Sequence, residues 1–319
     1  MSAPGPWPSD HLPRPARVLD ELATTHGPEL RHRLTQLGRP TPSAATLVGF
    51  HLPLAAWLAD QTVVATTPPV VGLSGPPGAG KTTLAAGLVE LLALAFDLRL
   101  VTLSLDDLYL TRTERRHLAR DRHPLWATRG VPGTHDLALG HAVLDDLLAA
   151  GPDTRTVLPV FDKGRDDRLP ESKWPRFPGR PDLVLLEGWC LGAEPEPAEL
   201  LSRPVNQLER EEDPDASWRR GVQAAVAGAH AELGARASPL VALLAPSFEQ
   251  VVAWRLEQET ALRRRTEAAP EAFDEAGVRR LLAGFERILR SLATTLPERA
   301  DVVVTLGPRR EIQGVALRG

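Results

Sequence analysis

Gly75-Pro76-Pro77-Gly78-Ala79-Gly80-Lys81-Thr82 fits the pattern G-x-x-x-x-G-K-[ST], which is typical of a phosphate-binding loop. Residues 70–74, directly before it, form an apolar run that predicts a short buried strand, and the Ala- and Leu-rich residues 83–96 predict a helix. A loop between a strand and a helix points backbone N–H groups into one hollow, and the helix N-terminus adds partial positive charge. The sequence therefore predicts a binding site for a nucleoside triphosphate.

The loop residues divide the expected contacts to the nucleotide among them. Pro76 and Pro77 have no N–H group, so the amides from Gly78 onward are the expected donors. We expect Lys81 to reach the β- and γ-phosphates and the Thr82 hydroxyl to bind Mg²⁺. The predicted nucleotide-contacting residues are Gly75, Gly78, Ala79, Gly80, Lys81, Thr82 and Thr83.

Outward from this loop, predicted strands and helices alternate along the chain from residue 69. The strands are expected at 69–74, 99–104, 155–160, 182–186, 239–244 and 301–305, and the main helices at 81–96, 136–150, 216–234, 247–267 and 273–294. Such alternation is typical of an α/β protein whose mostly parallel sheet has helices on both faces. The expected fold is thus the three-layer fold of P-loop NTPases.

An N-terminal helical extension is expected before this core. Residues 1–14 are rich in proline and are expected to be loose, and helical patterns follow near 15–37 and 43–61. The predicted division is an extension over residues 1–65 and a nucleotide-binding domain over residues 66–319. Residues 161–181 have no apolar periodicity and predict a long loop, of the kind that often carries function in compact α/β domains.

Composition excludes several classes of protein. A formal net charge of −4 gives no general attraction to nucleic acid or to an anionic membrane. Cys190 is the only cysteine, which rules out an intrachain disulfide and a zinc site built from cysteines. The sequence has neither an apolar run of membrane-spanning length nor a signal-peptide pattern, so a soluble cytoplasmic protein is expected.

Carboxylates follow two of the predicted strands. Asp106 and Asp107 come after the strand at 99–104, and Glu187 follows the strand at 182–186. Ligands bind at the carboxyl ends of the strands in an open parallel sheet, where a carboxylate can hold Mg²⁺ or accept a proton from an attacking hydroxyl. Asp107 has a second interpretation, as the cap of a following helix.

Motifs that the chain lacks narrow the class further. It has no Asn-Lys-x-Asp motif, which would read guanine, and no Ser-Gly-Gly-Gln-type signature of a transporter ATPase. The combination that is present favours a small-molecule kinase, in which the aspartate after the second strand accepts the proton of the acceptor.

Several segments, in their order along the chain, resemble the D-glycerate 3-kinase-like branch of the phosphoribulokinase, uridine kinase and pantothenate kinase group. Besides the phosphate-binding loop they are Ser104-Leu105-Asp106-Asp107-Leu108-Tyr109-Leu110-Thr111, Gly130-Val131-Pro132-Gly133-Thr134-His135-Asp136-Leu137, Leu158-Pro159-Val160-Phe161-Asp162-Lys163, Asp166-Asp167-Arg168, Leu185-Leu186-Glu187-Gly188-Trp189-Cys190-Leu191-Gly192, Pro204-Val205-Asn206 and Ala253-Trp254-Arg255-Leu256-Glu257-Gln258-Glu259. The resemblance extends from about residue 50 to the C-terminus. It implies the P-loop kinase fold and phosphorylation of glycerate at its 3-hydroxyl by ATP and Mg²⁺.

The resemblance also implies roles for individual residues. Asp106 falls on the catalytic base, Lys81 on the phosphate-binding lysine and Glu187 on the acid associated with Mg²⁺. The residues that fall in the segments expected to line the acceptor site are His135, Asp136, Lys163, Asp167 and Arg168. The expected partner is a small molecule, with no nucleic acid and no membrane. The sequence does not predict an oligomeric state.

Alternatives stay open for both the function and the closing arginine. A kinase of the same fold could act on pantothenate, a nucleoside or a sugar phosphate, and an ATP-binding regulator would lack acceptor chemistry altogether. A lid is predicted near 260–272, with Arg263, Arg264 and Arg265 as candidates to cover the γ-phosphate. Arg112 and Arg115 are rivals for the same role.

Overall fold

The computed structural model describes residues 6–63, 65–265 and 274–318, apart from the side chains of residues 262–265. The strands in this part of the chain are β1 (Val70–Ser74), β2 (Leu100–Ser104), β3 (Arg155–Val157), β4 (Phe161–Asp162), β5 (Asp167–Arg168), β6 (Arg176–Pro178), β7 (Leu183–Gly188), β8 (Leu240–Leu244), β9 (Val302–Leu306) and β10 (Ile312–Leu317). The α-helices are α1 (Ala16–Gln36), α2 (Ala44–Thr46), α3 (Leu52–Val63), α4 (Lys81–Phe96), α5 (Arg112–Asp121), α6 (Leu137–Ala149), α7 (Gln207–Glu212), α8 (Ser217–Ala225), α9 (Ala231–Ala235), α10 (Phe248–Arg265), α11 (Glu275–Ala283) and α12 (Glu286–Arg299).

Six strands form the central sheet, in the order β2, β7, β1, β8, β9, β10. The first five run parallel to their neighbours, and β10 runs antiparallel to β9. Every residue of β1 is buried, as expected for a strand with a sheet neighbour on each side and helices on both faces. The mostly parallel α/β fold predicted from the sequence is confirmed.

One strand prediction needs correction, and one strand of the central sheet was not predicted. Residues 155–157 form β3, which pairs antiparallel with β6 in a separate two-stranded sheet rather than with the central sheet. Its first residue is exposed, unlike a central parallel strand, and Pro159 cannot donate to a sheet ladder. The sequence analysis also missed β10, whose residues mix Gln313 and Gly314 with apolar side chains.

Three predicted helices are interrupted in the structure. A π-helical turn at Leu47–His51 separates α2 from α3, and a second at Val226–His230 separates α8 from α9. Gly284 and Phe285 lie between α11 and α12, which the sequence analysis had joined into one helix at 273–294. Helix α5, which the sequence analysis did not predict, begins with a capping box between Thr111 and Glu114.

Each face of the sheet carries an apolar layer. One layer includes buried side chains of α6, α8 and α12, and the other includes those of α1, α3 and α4. The second layer joins Leu30 of α1 and Leu58 of α3 to Leu88 of α4 and Val304 of β9. The N-terminal helices thus share a hydrophobic core with the sheet.

The expectation that residues 1–14 are loose is wrong from residue 6 onward. Trp7 is buried, and its indole N–H donates to the carbonyl of His11 at 3.0 Å. The carbonyl of Pro6 accepts from the backbone N–H of Val315 at 3.0 Å, which joins this segment to β10. The proline content signalled looseness, but burial of the large indole outweighs it.

Residues 161–181 contain short strands rather than a continuous loop. Phe161 pairs with Arg168 and Asp162 with Asp167, so that β4 and β5 form a hairpin with Lys163 in its turn. The later part contributes β6 to the small sheet with β3. The hairpin lies beside the carboxyl end of β2, because the backbone N–H of Phe161 donates to Asp107 Oδ1 at 3.0 Å.

Candidate active site

The phosphate-binding loop joins β1 to α4 with glycines where other residues would be strained. Gly78 and Gly80 have φ values of 82° and 93°, in the left-handed region that favours glycine. A Cβ atom on Gly78 would also lie 2.6 Å from the Cβ of Trp254 on α10, which is closer than packed atoms approach. The loop is therefore shaped by its own backbone and by the packing of α10 behind it.

Polar side chains hold the loop from several directions. Lys81 Nζ donates to the carbonyls of Gly75 and Pro76 at 2.7 and 3.3 Å. From the turn after β9, Arg310 Nε donates to the carbonyl of Gly78 at 2.6 Å. Burial lowers the pKa of Lys81, while the charges of Glu187 and Asp106 oppose that shift.

Glu187 lies at the carboxyl end of β7, opposite Ser104 of β2 in the sheet register. Its Oε1 accepts from the Ser104 hydroxyl at 2.8 Å and from the Thr82 hydroxyl at 3.3 Å. A carboxylate and a hydroxyl at the edge of a phosphate site fit Mg²⁺, which prefers few protein oxygens together with substrate phosphates and water. No cluster of three or more His, Cys, Asp or Glu side chains that could hold a metal occurs among the described residues.

Asp106 follows β2, and two neighbours hold its carboxylate. Tyr109 OH donates to Oδ1 at 2.7 Å, and Lys163 Nζ donates to Oδ2 at 2.6 Å. Burial alone would raise the pKa of Asp106, but the Lys163 charge and these two hydrogen bonds hold it well below the usual range. Asp106 is thus ionised, and it lies next to an ammonium group from the β4–β5 hairpin.

Asp107 connects the same turn to the hairpin. It does not cap α5, because Thr111 occupies the N-cap position, so the capping interpretation is wrong. Instead its Oδ1 accepts the backbone N–H of Phe161. Burial raises the pKa of Asp107 to about 6, although the hydrogen bond from Phe161 and the charge of Lys163 oppose the shift.

Arginines from two other segments fix the hairpin turn. Arg115 Nη2 lies 2.8 Å from Asp166 Oδ2, and the Arg115 side chain is only 1% exposed. Its guanidinium also donates to the carbonyls of Leu110 and Ala127. Arg129 pairs with the other oxygen of Asp166. These contacts make Arg115 a structural residue, which removes it as a rival for the γ-phosphate, whereas the side chain of Arg112 is exposed.

Hydrogen bonds to each other and to the N-termini of helices hold three of the predicted acceptor-site residues: Asp136, Asp167 and Arg168. Asp136 caps α6 through the N–H of Leu139 at 3.0 Å, and its Oδ2 accepts from Arg168 Nη1 at 3.0 Å. Asp167 Oδ1 accepts the backbone N–H groups of Arg112 and Arg168. Arg168 Nε is buried without a hydrogen-bond partner among the described residues, so one donor of this guanidinium is free to bind another group.

His135 lies between two other rings. Its ring centroid is 4.7 Å from that of Tyr109 and 4.9 Å from that of His230, which the π-helical turn after α8 carries. Both ring nitrogens of His135 are buried and have no hydrogen-bond partner among the described residues. Burial and the neighbouring His230 hold the pKa of His135 well below its usual value, so the ring is neutral at pH 7.

The fold brings most of the predicted site residues to one edge of the sheet. The loop residues follow β1, Asp106 follows β2, and Glu187 lies at the carboxyl end of β7. An unbroken set of contacts links Lys163, Asp106, Tyr109 and His135. Of the lid predicted near 260–272, residues 266–272 lie outside the described residues, and the side chains of Arg263, Arg264 and Arg265 are outside them as well.

Sequence reasoning missed three residues of this arrangement. Tyr109 lies in one of the segments that carry the resemblance but had no predicted role, and it donates a hydrogen bond to the carboxylate of Asp106. Ser104 precedes the aspartates and binds Glu187 across the sheet; the parallel register of β2 and β7 was the signal that could have indicated it. His230 has no motif around it, because an irregular turn between two helices brings it to His135.

Comparison with known proteins gives both sequence relatives and structural neighbours. The chain is 30% identical over 293 residues to the chloroplastic D-glycerate 3-kinase of Arabidopsis thaliana, covering 84% of the chain but 60% of that protein's length. It is 35% identical over 211 residues to the uncharacterized kinase mug58 of Schizosaccharomyces pombe, covering 62% of the chain and 72% of the relative. No family model matches the chain.

A solved structure shares the fold. The D-glycerate 3-kinase of Cryptococcus neoformans matches with a TM-score of 0.67 and 24% identity, over 84% of the chain and 99% of the neighbour. A second neighbour, the YGR205w protein, matches with a TM-score of 0.60 and 22% identity, over 83% of the chain and 94% of the neighbour. At these identities the likeness establishes the fold alone. No helix in the described part of the chain is long and apolar enough to span a membrane.

Proposed function

The chain belongs to the D-glycerate 3-kinase-like P-loop kinases, and from that membership we propose that it transfers the γ-phosphoryl group of ATP to the 3-hydroxyl of D-glycerate, giving ADP and 3-phosphoglycerate. The observation that carries the proposal is the carboxylate of Asp106, ionised and held between Tyr109 and Lys163 beside the phosphate-binding loop. In this proposal that carboxylate acts on a hydroxyl, and the lysine supplies positive charge for an acidic acceptor. The predicted cytoplasmic location stays a prediction.

At the nucleotide end of the site, backbone amides and cations neutralise the negative charge of the phosphates. The amides from Gly78 to Thr83 cradle the phosphates at the N-terminus of α4, and the Lys81 ammonium exchanges its loop carbonyls for the β- and γ-phosphate oxygens. Thr82 and Glu187 would hold Mg²⁺, which supplies charge neutralisation to the transferring phosphoryl group when it is bound.

At the acceptor end, Asp106 acts as the general base. It orients the 3-hydroxyl of glycerate and takes its proton as that oxygen forms a bond to the γ-phosphorus. The bond between the γ-phosphorus and the β,γ-bridging oxygen breaks, and ADP leaves with that electron pair. The proton passes to Asp106 and the phosphoryl group to glycerate, so the reaction needs no further reactant.

The acceptor is expected to lie between the hairpin and the loop that carries His135. Lys163 and Arg168 provide positive charge for its carboxylate, and pairing with Asp136 fixes the direction of the Arg168 guanidinium. The unpartnered nitrogens of His135 supply hydrogen bonds for a hydroxyl group. A site with buried polar groups discriminates strongly against acceptors that leave those groups unpaired.

The test is ADP release from ATP and Mg²⁺ with D-glycerate, L-glycerate, pantothenate, uridine or a sugar phosphate as the single acceptor. We expect turnover with D-glycerate, and a loss of about 10²- to 10⁴-fold in Asp106→Asn with ATP binding retained. Turnover with a different acceptor alone would contradict the substrate and keep the kinase. If no acceptor supports turnover, the protein is an ATP-binding regulator and the proposal is wrong.

A further inference from the structure

Each oxygen of the proposed base already accepts one hydrogen bond. Tyr109 donates to Oδ1 at 2.7 Å and Lys163 to Oδ2 at 2.6 Å, and the lysine contact is also an ion pair. An acceptor hydroxyl must hydrogen-bond to one of these oxygens before its proton can move. An ammonium group in contact with a carboxylate also weakens it as a proton acceptor, because the positive charge stabilises the ionised form. Lys163 therefore opposes the chemistry that Asp106 is proposed to perform.

The side chain of Lys163 can move away from Asp106 without any movement of the hairpin backbone. Its side chain is 53% exposed, and it lies in the turn between β4 and β5. The hairpin itself is anchored through Phe161 to Asp107 and through Asp166 to the buried Arg115. A lysine has a flexible four-carbon stem and three N–H donors, so the ammonium can move by rotation of side-chain bonds alone.

We propose that Lys163 makes phosphoryl transfer conditional on an acidic acceptor, because the carboxylate of the acceptor draws the ammonium away from Asp106 and thereby frees the base. The inference rests on the proposed function and goes beyond it, since it assigns to one residue both the recognition of the acid and the release of the base. A neutral polyol or water carries no charge that could compete with Asp106 for the ammonium. With such molecules the ammonium stays on Asp106, so the carboxylate remains a weak proton acceptor and ATP is not consumed.

Two features of the site support a competition of this kind. The carboxylate of Asp106 keeps its second hydrogen bond, from Tyr109, when Lys163 moves, so its orientation is retained. A second cationic side chain, Arg168, lies on the same hairpin; it is paired with Asp136 and Glu114, and its Nε is a buried donor that has no partner among the described residues. The carboxylate of the acceptor thus approaches two cationic side chains, of which only Lys163 contacts Asp106.

The experiment compares D-glycerate with D-glyceramide, its uncharged amide, and with ATP in water alone. For the wild type we expect turnover with D-glycerate to exceed turnover with D-glyceramide by about 100-fold, as the loss of a hydrogen bond to a charged group implies. In Lys163→Met, turnover with D-glycerate should fall, while turnover with D-glyceramide and hydrolysis of ATP should each rise, by about tenfold. Arg165→Met is the matched control, because Arg165 lies in the same turn, is 77% exposed and pairs with Asp162 instead.

The direction of the change with the neutral acceptor decides the outcome. If Lys163→Met loses D-glycerate turnover but leaves D-glyceramide turnover and ATP hydrolysis unchanged, Lys163 only binds the acid, and the inference is wrong. If all three rates fall together, its role is structural, and the inference is again wrong. A wild type that is silent with D-glycerate would instead contradict the proposed function, which is a separate result from any change in the variant.

Discussion

At the scale of single residues, the site is governed by how neighbours set the charge state of Asp106 and Asp107. The two carboxylates are adjacent in the chain, yet one has a pKa held well below its usual range and the other has a pKa raised to about 6. The difference arises because Lys163 and Tyr109 donate to Asp106, whereas Asp107 is partly buried with one backbone N–H as its donor. The pair thus separates into an ionised carboxylate, which is the proposed base, and a carboxyl group that supports the hairpin.

Tyr109→Phe tests the support of the base while it keeps the ring that packs against His135 and Phe161. Loss of the hydroxyl removes a hydrogen bond to the ionised carboxylate, so the pKa of Asp106 should rise. We expect kcat to fall by about tenfold because the carboxylate is less firmly oriented. The measurement is kcat at pH 7 with saturating D-glycerate and ATP; an unchanged kcat would contradict the role of Tyr109.

Asp107→Asn tests the cost of burying the second carboxylate. The folded protein binds the proton of Asp107 more tightly than the unfolded chain does, since burial raises the pKa from an ordinary value of about 3.9 to about 6. The contribution of this group to the free energy of unfolding is therefore largest at low pH and is lost as the pH rises from about 4 to about 6.

The asparagine keeps an oxygen acceptor for the N–H of Phe161 but carries no charge. The difference in free energy of unfolding between the variant and the wild type should favour the variant more at pH 7.5 than at pH 4.5. The change between the two pH values should be about 1–3 kcal/mol, which corresponds to a pKa shift of this size. Urea unfolding at the two pH values measures the difference. Equal changes at both pH values would show that Asp107 does not carry this burial cost.

At the scale of secondary-structure elements, the sequence predicted the parts of the fold that have strong local signals. The P-loop, α4 and the five parallel strands combine apolar runs with clear breakers, and the structure has them within a residue or two. The sequence could not predict that β3 pairs with β6 outside the central sheet or that a π-helical turn separates α8 from α9. Both outcomes depend on tertiary pairing. The same limit applies to His230, which only that turn brings to the site.

The loop from Gly130 to Asp136 illustrates how one element positions a site residue. Gly133 has a φ of 100°, and a Cβ atom there would lie 2.6 Å from the indole ring of Trp126. Gly133→Ala should therefore lower the free energy of unfolding by about 2–3 kcal/mol, through backbone strain and overpacking. It should also raise KM for the acceptor more than KM for ATP, because His135 follows two residues later.

Gly314→Ala in β10 is the matched control, because its Cβ would meet open space and its φ is not in the left-handed region. Thermal unfolding and steady-state kinetics on both variants measure the effects. Equal stability of the two variants would contradict the strain argument for Gly133.

At the scale of the whole molecule, the N-terminal helices are part of the protein's main core. Leu19 and Leu30 of α1 are each 1% exposed and belong to the same apolar layer as Val71 of β1 and Leu88 of α4. Trp7 adds a further link, since its backbone N–H donates to the carbonyl of Gly49. The predicted boundary near residue 65 therefore divides the sequence into two parts that bury their apolar surface against each other.

This shared core makes a prediction about cooperativity. If residues 6–63 and the sheet depend on one another, Trp7→Ala should remove about 3–5 kcal/mol from the unfolding of the whole protein, as large-to-small changes of a buried tryptophan do. The variant and the wild type should each unfold in one transition, with the same midpoint by far-UV circular dichroism and by loss of ATP binding. An extension that folds separately would instead lose its helical signal first, while ATP binding by the phosphate-binding loop persisted. Coincident midpoints would establish that the N-terminal helices stabilise the nucleotide site through the core beneath it, although none of them belongs to the phosphate-binding loop.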